Sequence, residues 1–159
     1  MSERKISDKS RTRCREIMTS KISAANGEMT LQTVAKMLRD GDIGILPVIE
    51  KETNKLLGLV TDRDIVVRAV AEGRNIETPV SEIMTTTLYT AKPDDFAFQA
   101  IRTMGDKQVR RIPVVDRDGH LRGIISMADV ALETEEDKEL AAALEEISSG
   151  SSFWNKVFG

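Results

Sequence analysis

Glu16-Ile17-Met18-Thr19 recurs 66 residues later as Glu82-Ile83-Met84-Thr85, and that recurrence sets the reading of the whole chain. The same offset carries Ala25 to Ala91, Asp40 to Asp106 and Pro47-Val48 to Pro113-Val114. Past that point it falls to 65, carrying Gly58-Leu59-Val60-Thr61 to Gly123-Ile124-Ile125-Ser126 and Asp64 to Asp129. One residue has been lost in between, and only the polar stretch 50–55, matched by 116–120, tolerates a deletion. A β-hairpin turn is predicted at both places, and Asp118-Gly119 is a strong signal for one. Self-similarity at a fixed period means one supersecondary unit packed on a copy of itself.

The periods inside each copy agree. Leu31, Val34, Ala35 and Leu38 stand at i, i+3, i+4 and i+7, the apolar face of a helix, and Ala97, Ala100, Ile101 and Met104 repeat it. Thr30 is placed to cap the first helix, and Asp94 and Asp95, after Pro93, favour a start for the second. The apolar runs Ile43–Ile49 and Val109–Val115 follow, then strands Leu56–Val60 and Leu121–Ile125, then helices from about Asp62 and Met127. Each copy reads strand, helix, strand, strand, helix. The fold class is mixed α/β (α+β): two tandem β-α-β-β-α repeats, expected to pair by a pseudo-two-fold and close a shared core, since one hairpin is marginal alone. The boundaries are a lead-in over 1–14, repeats over 15–73 and 74–132, and a tail over 133–159 with an acidic helix and a Phe153–Phe158 aromatic cluster.

Composition limits the function. With 23 basic and 26 acidic residues the chain has a net charge of −3 and no global field to attract nucleic acid. The basic lead-in, Arg4 to Arg15, has no interleaved aromatics and reads as a solvated segment. Cys14 is the single cysteine, so no internal disulfide framework exists; the arginines near it could lower its thiol pKa, but a plain surface or half-buried thiol is the expected reading. No apolar run is long enough to span a membrane, and a cytoplasmic location is expected. The lone His120 sits in a predicted turn without histidine or cysteine partners, so no metal site is expected. No nucleophile–base–orienter set and no phosphate-loop motif is legible, so no catalytic activity is expected.

The sharpest repeated feature is Gly-x-x-Thr/Ser-x-x-Asp: Gly58, Thr61, Asp64 and Gly123, Ser126, Asp129. Each lies where an apolar strand gives way to a helix. A carboxylate one turn into that helix can accept from both hydroxyls of a ribose, while the hydroxyl can donate or accept. Glycine permits close approach of another backbone. The same residues serve equally as helix caps, and spacing alone leaves both readings open.

The pattern of Ile-Met-Thr, a helix, a strand ending in Pro-Val, then Gly-x-x-Thr/Ser-x-x-Asp resembles the CBS (cystathionine-β-synthase) domain, over about Arg15 to Leu132. Two in tandem resemble the stand-alone CBS pair, or Bateman module. The resemblance implies clefts between the repeats that hold AMP, ADP, ATP or S-adenosylmethionine as a regulatory rather than catalytic ligand, and a homodimer. It assigns ribose hydroxyls to Asp64 and Asp129, and ribose or phosphate to Thr61 and Ser126. Ile22, Ala24, Leu88 and Thr90 would line an adenine pocket from the first strand, with Pro47 and Pro113 in the opposite wall. Arg110 and Arg111 stand where the first copy has Gly44 and Ile45; if only one cleft holds a phosphorylated ligand, it is expected to be the one they reach, and a solvated edge position for either is the equal alternative. A separate protein effector would read the bound state. The alternative is a scaffold that dimerises through the pair and binds no nucleotide.

Overall fold

The structure, a computed structural model, describes residues 11–136. The rest of the expected acidic helix, the aromatic tail and most of the basic lead-in lie outside the described residues. The elements are α1 (Cys14–Ile17), β1 (Ala25–Asn26), α2 (Leu31–Gly41), β2 (Ile45–Ile49), β3 (Leu56–Thr61), α3 (Asp62–Asp64), a π-helical turn (Ile65–Val70), a 3-10 turn (Val80–Glu82), α4 (Ala97–Lys107), β4 (Arg111–Val115), β5 (Leu121–Ser126) and α5 (Met127–Glu136).

The compact units do not follow chain order. Among the described residues one comprises 11–21, 89–117 and 122–136; the other comprises 22–88 with 118–121. Each has its own buried cluster. Leu31, Val34, Leu46, Val48 and Val60 centre one cluster. Ile101, Met104, Ile112, Val114 and Ile125 centre the other.

In the unit holding residues 22–88, β2 pairs antiparallel with β3 through Ile45↔Thr61 to Ile49↔Leu56. It pairs parallel with β1 only at Ala25↔Val48 and Asn26↔Ile49. The other unit reduces this to a single bridge, Ala91↔Val114, beside the β4–β5 hairpin. The expected first strand is thus short, and proline explains it. In a strand a residue's N–H and C=O point the same way, and Pro113 O accepts Ala91 N at 3.0 Å. Pro113, and Pro47 at the matching place, has no N–H to carry the parallel ladder one step upstream. Ile22 and Ala24, and likewise Leu88 and Thr90, therefore lie in irregular backbone before the pairing begins.

The helix termini agree with the sequence at one end and differ at the other. Thr30 Oγ1 accepts from Thr33 N at 3.2 Å, capping α2. Asp95 does not cap α4: its carboxylate accepts from Lys92 N at 2.9 Å and closes a turn, so the helix starts at Ala97. Gln99 then reaches back to Phe96 N at 3.2 Å. Both helices end in a left-handed residue, Asp42 at φ 49° and Gln108 at φ 56°.

Cys14 corrects the sequence reading. Its thiol is fully buried in the cluster of Ile101 and Ile112. Loss of solvation, and then the charge of Asp95, push it from the ordinary 9.0 up to about 12. The neighbouring arginines face elsewhere: Arg15 pairs with Asp94, and Arg13 donates to Asp94 O at 2.8 Å while lying 3.8 Å over the Phe96 ring. A raised folded-state pKa means the stability from the neutral thiol is fully present below pH 9 and lost as pH rises toward 12. Urea unfolding across that range is expected to show a steeper fall for the wild type than for Cys14→Ala; parallel curves would contradict it.

Candidate functional site

Both repeated motifs fold into the same local arrangement, and its first ingredient is a glycine. The segment 84–85 lies along β3, where Leu59 N donates to Thr85 O at 2.9 Å and Thr85 N returns a bond to Leu59 O at 2.8 Å. A Cβ on Gly58 would stand 2.7 Å from Thr85 O and 2.9 Å from the Met84 sulfur, so this approach requires glycine. In the other unit the segment 18–19 lies along β5 in the same way. Thr19 N donates to Ile124 O at 2.9 Å and Ile124 N to Thr19 O at 3.1 Å, with Gly123 beneath. A Cβ there would meet the Met18 sulfur and Thr19 O at 2.8 Å.

The hydroxyl and carboxylate then lock each strand–helix junction. Thr61 Oγ1 accepts from Asp64 N, and Asp64 Oδ2 accepts from Thr61 N, both at 3.0 Å. Ser126 Oγ accepts from Asp129 N at 3.2 Å, and Asp129 Oδ2 accepts from Ser126 N at 3.1 Å. The capping reading is thus realised, but it occupies only one carboxylate oxygen. The Ile-Met-Thr repeat supplies a second donor to that oxygen: Thr85 Oγ1 donates to Asp64 Oδ2 at 3.3 Å and Thr19 Oγ1 to Asp129 Oδ2 at 3.4 Å. Sequence reading assigned no role to these threonines. The signal was present, since both copies of the quoted motif end in threonine.

The Oδ1 atoms remain for other work. Asp64 Oδ1 faces Arg68 Nε at 3.8 Å, and the Asp64 side chain is 14% exposed. Arg68 is held in turn by Ile83 O at 3.2 Å and Met84 O at 3.3 Å. Asp129 Oδ1 has no hydrogen bond among the described residues. A carboxylate with one oxygen anchored and one presented is oriented to accept from a ligand's hydroxyls.

The two junctions differ in charge. Met127 N donates to Arg110 O at 3.0 Å, which sets Arg110 beside the Ser126 junction, and Arg111 opens β4 on the exposed side. The matching bond in the other unit runs from Asp62 N to Gly44 O at 3.2 Å. There the place of a Gly44 side chain lies 3.8 Å from the Asp62 carboxylate. Pro47 and Pro113 are buried in their strands, Ile22, Ala24 and Leu88 are half-buried, and Thr90 is exposed. His120, read as an exposed turn residue, is half-buried. Among the described residues no helix is long and apolar enough to cross a membrane.

A duplicated β-α-β-β-α unit with a capped Gly-x-x-Thr/Ser-x-x-Asp junction in each copy defines a class of tandem-repeat module. The family model for the CBS domain matches residues 14–70 and 80–136, and the chain belongs to that family as a tandem pair. Among solved structures it is similar to Hypoxic Response Protein I of Mycobacterium tuberculosis, determined with two coordinated zinc ions. That match is 32% identical with a TM-score of 0.68, over 76% of this chain and 98% of that one. It is similar also to the CBS domain pair of protein MJ0100 in complex with 5′-methylthioadenosine and S-adenosylmethionine, at 26% identity and TM-score 0.68 over 79% and 97%. A third is the CBS domain protein PAE2072 of Pyrobaculum aerophilum complexed with AMP, at 25% identity and TM-score 0.71 over 82% and 98%.

Proposed function

We propose that this chain is a ligand-sensing regulatory module that binds an adenosine-type ligand, AMP, ADP, ATP or S-adenosylmethionine, and performs no catalysis. The observation that carries the reading is the pair of anchored carboxylates, each with Oδ2 held by backbone and threonine; Oδ1 faces Arg68 in Asp64 and has no hydrogen bond among the described residues in Asp129. Asp64 and Asp129 accept from ribose hydroxyls, with Thr61 and Ser126 beside them. Ile22, Ala24, Leu88 and Thr90 line the base, with Pro47 and Pro113 opposite. The AMP and S-adenosylmethionine named for two of the similar structures support this ligand class. A phosphorylated ligand is drawn to the Ser126 junction, where Arg110 and Arg111 supply positive charge; the Thr61 junction has Asp62 against Gly44 instead.

Such a ligand acts by its differential affinity for two arrangements of the module, read by a separate effector protein. The proposed setting is the cytoplasm. Calorimetric titration of ligand-free protein with AMP, ATP, S-adenosylmethionine and NAD tests the reading. Saturable binding of an adenosine compound supports it; silence across the panel, from folded protein, favours a scaffold that binds no nucleotide.

A second copy of the chain is the proposed partner of the π-helical turn. Val66, Val67 and Val70 are 58%, 47% and 68% exposed on that one turn. Three adjacent valines in water favour burial, at about 25 cal/mol per Å² of apolar surface. Val66→Glu/Val70→Glu is expected to convert a dimer to a monomer in size-exclusion chromatography with light scattering. An unchanged mass would move the interface elsewhere.

A further inference from the structure

Each unit also carries a cavity at the other end of its hairpin. In the unit holding residues 89–117 a cavity of about 590 Å³ lies between the hairpin end, the turn after Ala91 and α1. Arg122, on its rim, precedes Ser126 by four residues of β5, which sets it roughly 13 Å from the junction at about 3.3 Å per residue. The unit holding residues 22–88 has a cavity of about 620 Å³ built from equivalent positions. The repeat offset relates Arg15 to Ser81, Lys92 to Asn26, Arg117 to Lys51 and Arg122 to Leu57. One architecture therefore appears twice with different chemistry.

The difference is charge. The first cavity has four cations against three carboxylates, and the second has one cation, Lys51, against Glu28, Glu50 and Glu52. One ion pair takes a cation and a carboxylate out of the balance together, leaving Lys92, Arg117 and Arg122 against Asp95 and Asp116. Asp94 pairs with Arg15, and Asp95 accepts from Lys92 N. The Arg117 and Arg122 guanidiniums make no ion pair among the described residues, and both are exposed. Pro93 and the half-buried Met18 line the cavity beside the charged groups.

We propose that this cavity binds an oligophosphate, such as inorganic pyrophosphate or the phosphate chain of a larger metabolite, through Lys92, Arg117 and Arg122. Two guanidinium forks supply paired donors for phosphate oxygens, and the ammonium supplies a third charge. The equivalent cavity in the other unit, with net negative charge, does not bind it and serves as an internal control.

Pyrophosphate and tripolyphosphate are titrated calorimetrically into the full chain at low ionic strength, where such attraction is least screened. The expected result is saturable binding that weakens about 10- to 100-fold in Lys92→Asn/Arg122→Leu, which installs the residues of the control cavity. Arg117→Ala/Arg122→Ala is expected to do the same, with circular dichroism confirming that both variants fold. AMP binding is unchanged in both, and Arg110→Ala/Arg111→Ala still binds pyrophosphate. Failure of pyrophosphate to bind, or equal binding by wild type and both rim variants, overturns the proposal. Loss in Arg110→Ala/Arg111→Ala alone assigns the anion to the nucleotide junction and overturns it too.

Discussion

Asp64→Ala/Asp129→Ala is expected to abolish adenosine-ligand binding, with each single variant weakening its own junction about 10- to 100-fold. A hydrogen bond to a charged acceptor contributes about 1.5–3 kcal/mol, and each carboxylate is the charged acceptor at its junction. The geometry complicates the experiment, because the same carboxylate caps the helix that follows. Asp64 Oδ2 takes Thr61 N, and Asp129 Oδ2 takes Ser126 N. Alanine removes that cap as well, at about 1 kcal/mol each. Asp64→Asn/Asp129→Asn separates the two effects, since the amide oxygen still accepts from the backbone while the charge is gone. If the asparagine variant keeps wild-type stability and loses binding, the carboxylates are ligand acceptors. If it binds as the wild type does, they are caps and nothing more.

Gly123→Ala is the substitution expected to cost the fold most. Its Cβ would stand 2.8 Å from both the Met18 sulfur and Thr19 O. The sulfur belongs to a flexible side chain and can move. The carbonyl cannot, because it accepts from Ile124 N at 3.1 Å in a two-bond bridge. Forcing an extra methyl into a packed site costs about 1–3 kcal/mol, and here the bridge is lost as well. A midpoint shift of about 2–4 °C per kcal/mol follows for a chain of this size. Gly58→Ala, 2.7 Å from Thr85 O, is expected to behave alike. Gly41→Ala is the control: its nearest neighbours are Ile43 side-chain atoms at 3.4 Å, and melting should barely change. Both severe variants would also displace the threonine hydroxyl from its aspartate, so ligand binding should fall together with stability. A Gly123→Ala protein that melts like the wild type would show that segment 18–19 is not held against β5 in solution.

Much of this was legible in the chain itself. Helices over 31–41 and 97–107, both hairpins and the Thr30 cap follow from periodicity and turn chemistry, which act within a few residues. Thr61 beside Asp64 and Ser126 beside Asp129 follow from spacing, because three residues is one helical turn. The duplication itself implied that what one copy does locally, the other does too.

Only the tertiary structure decided which edge each Ile-Met-Thr segment completes. Segment 18–19 pairs with β5, more than a hundred residues onward, and segment 84–85 pairs with β3. Backbone hydrogen bonds carry no side-chain signature, so a strand edge does not announce its partner in sequence. Thr19 and Thr85 were invisible as partners of Asp129 and Asp64 for that reason. The full burial of Cys14 was invisible too: the charges adjacent in sequence pointed to a surface or half-buried thiol, while the folded chain turns Arg13 and Arg15 to Asp94 and Phe96 and seals the thiol among apolar side chains. Sequence determined the repeated unit and the residues at each junction. Tertiary pairing determined which segments meet there, because long-range contacts depend on the shape and register of packed surfaces rather than on local pattern.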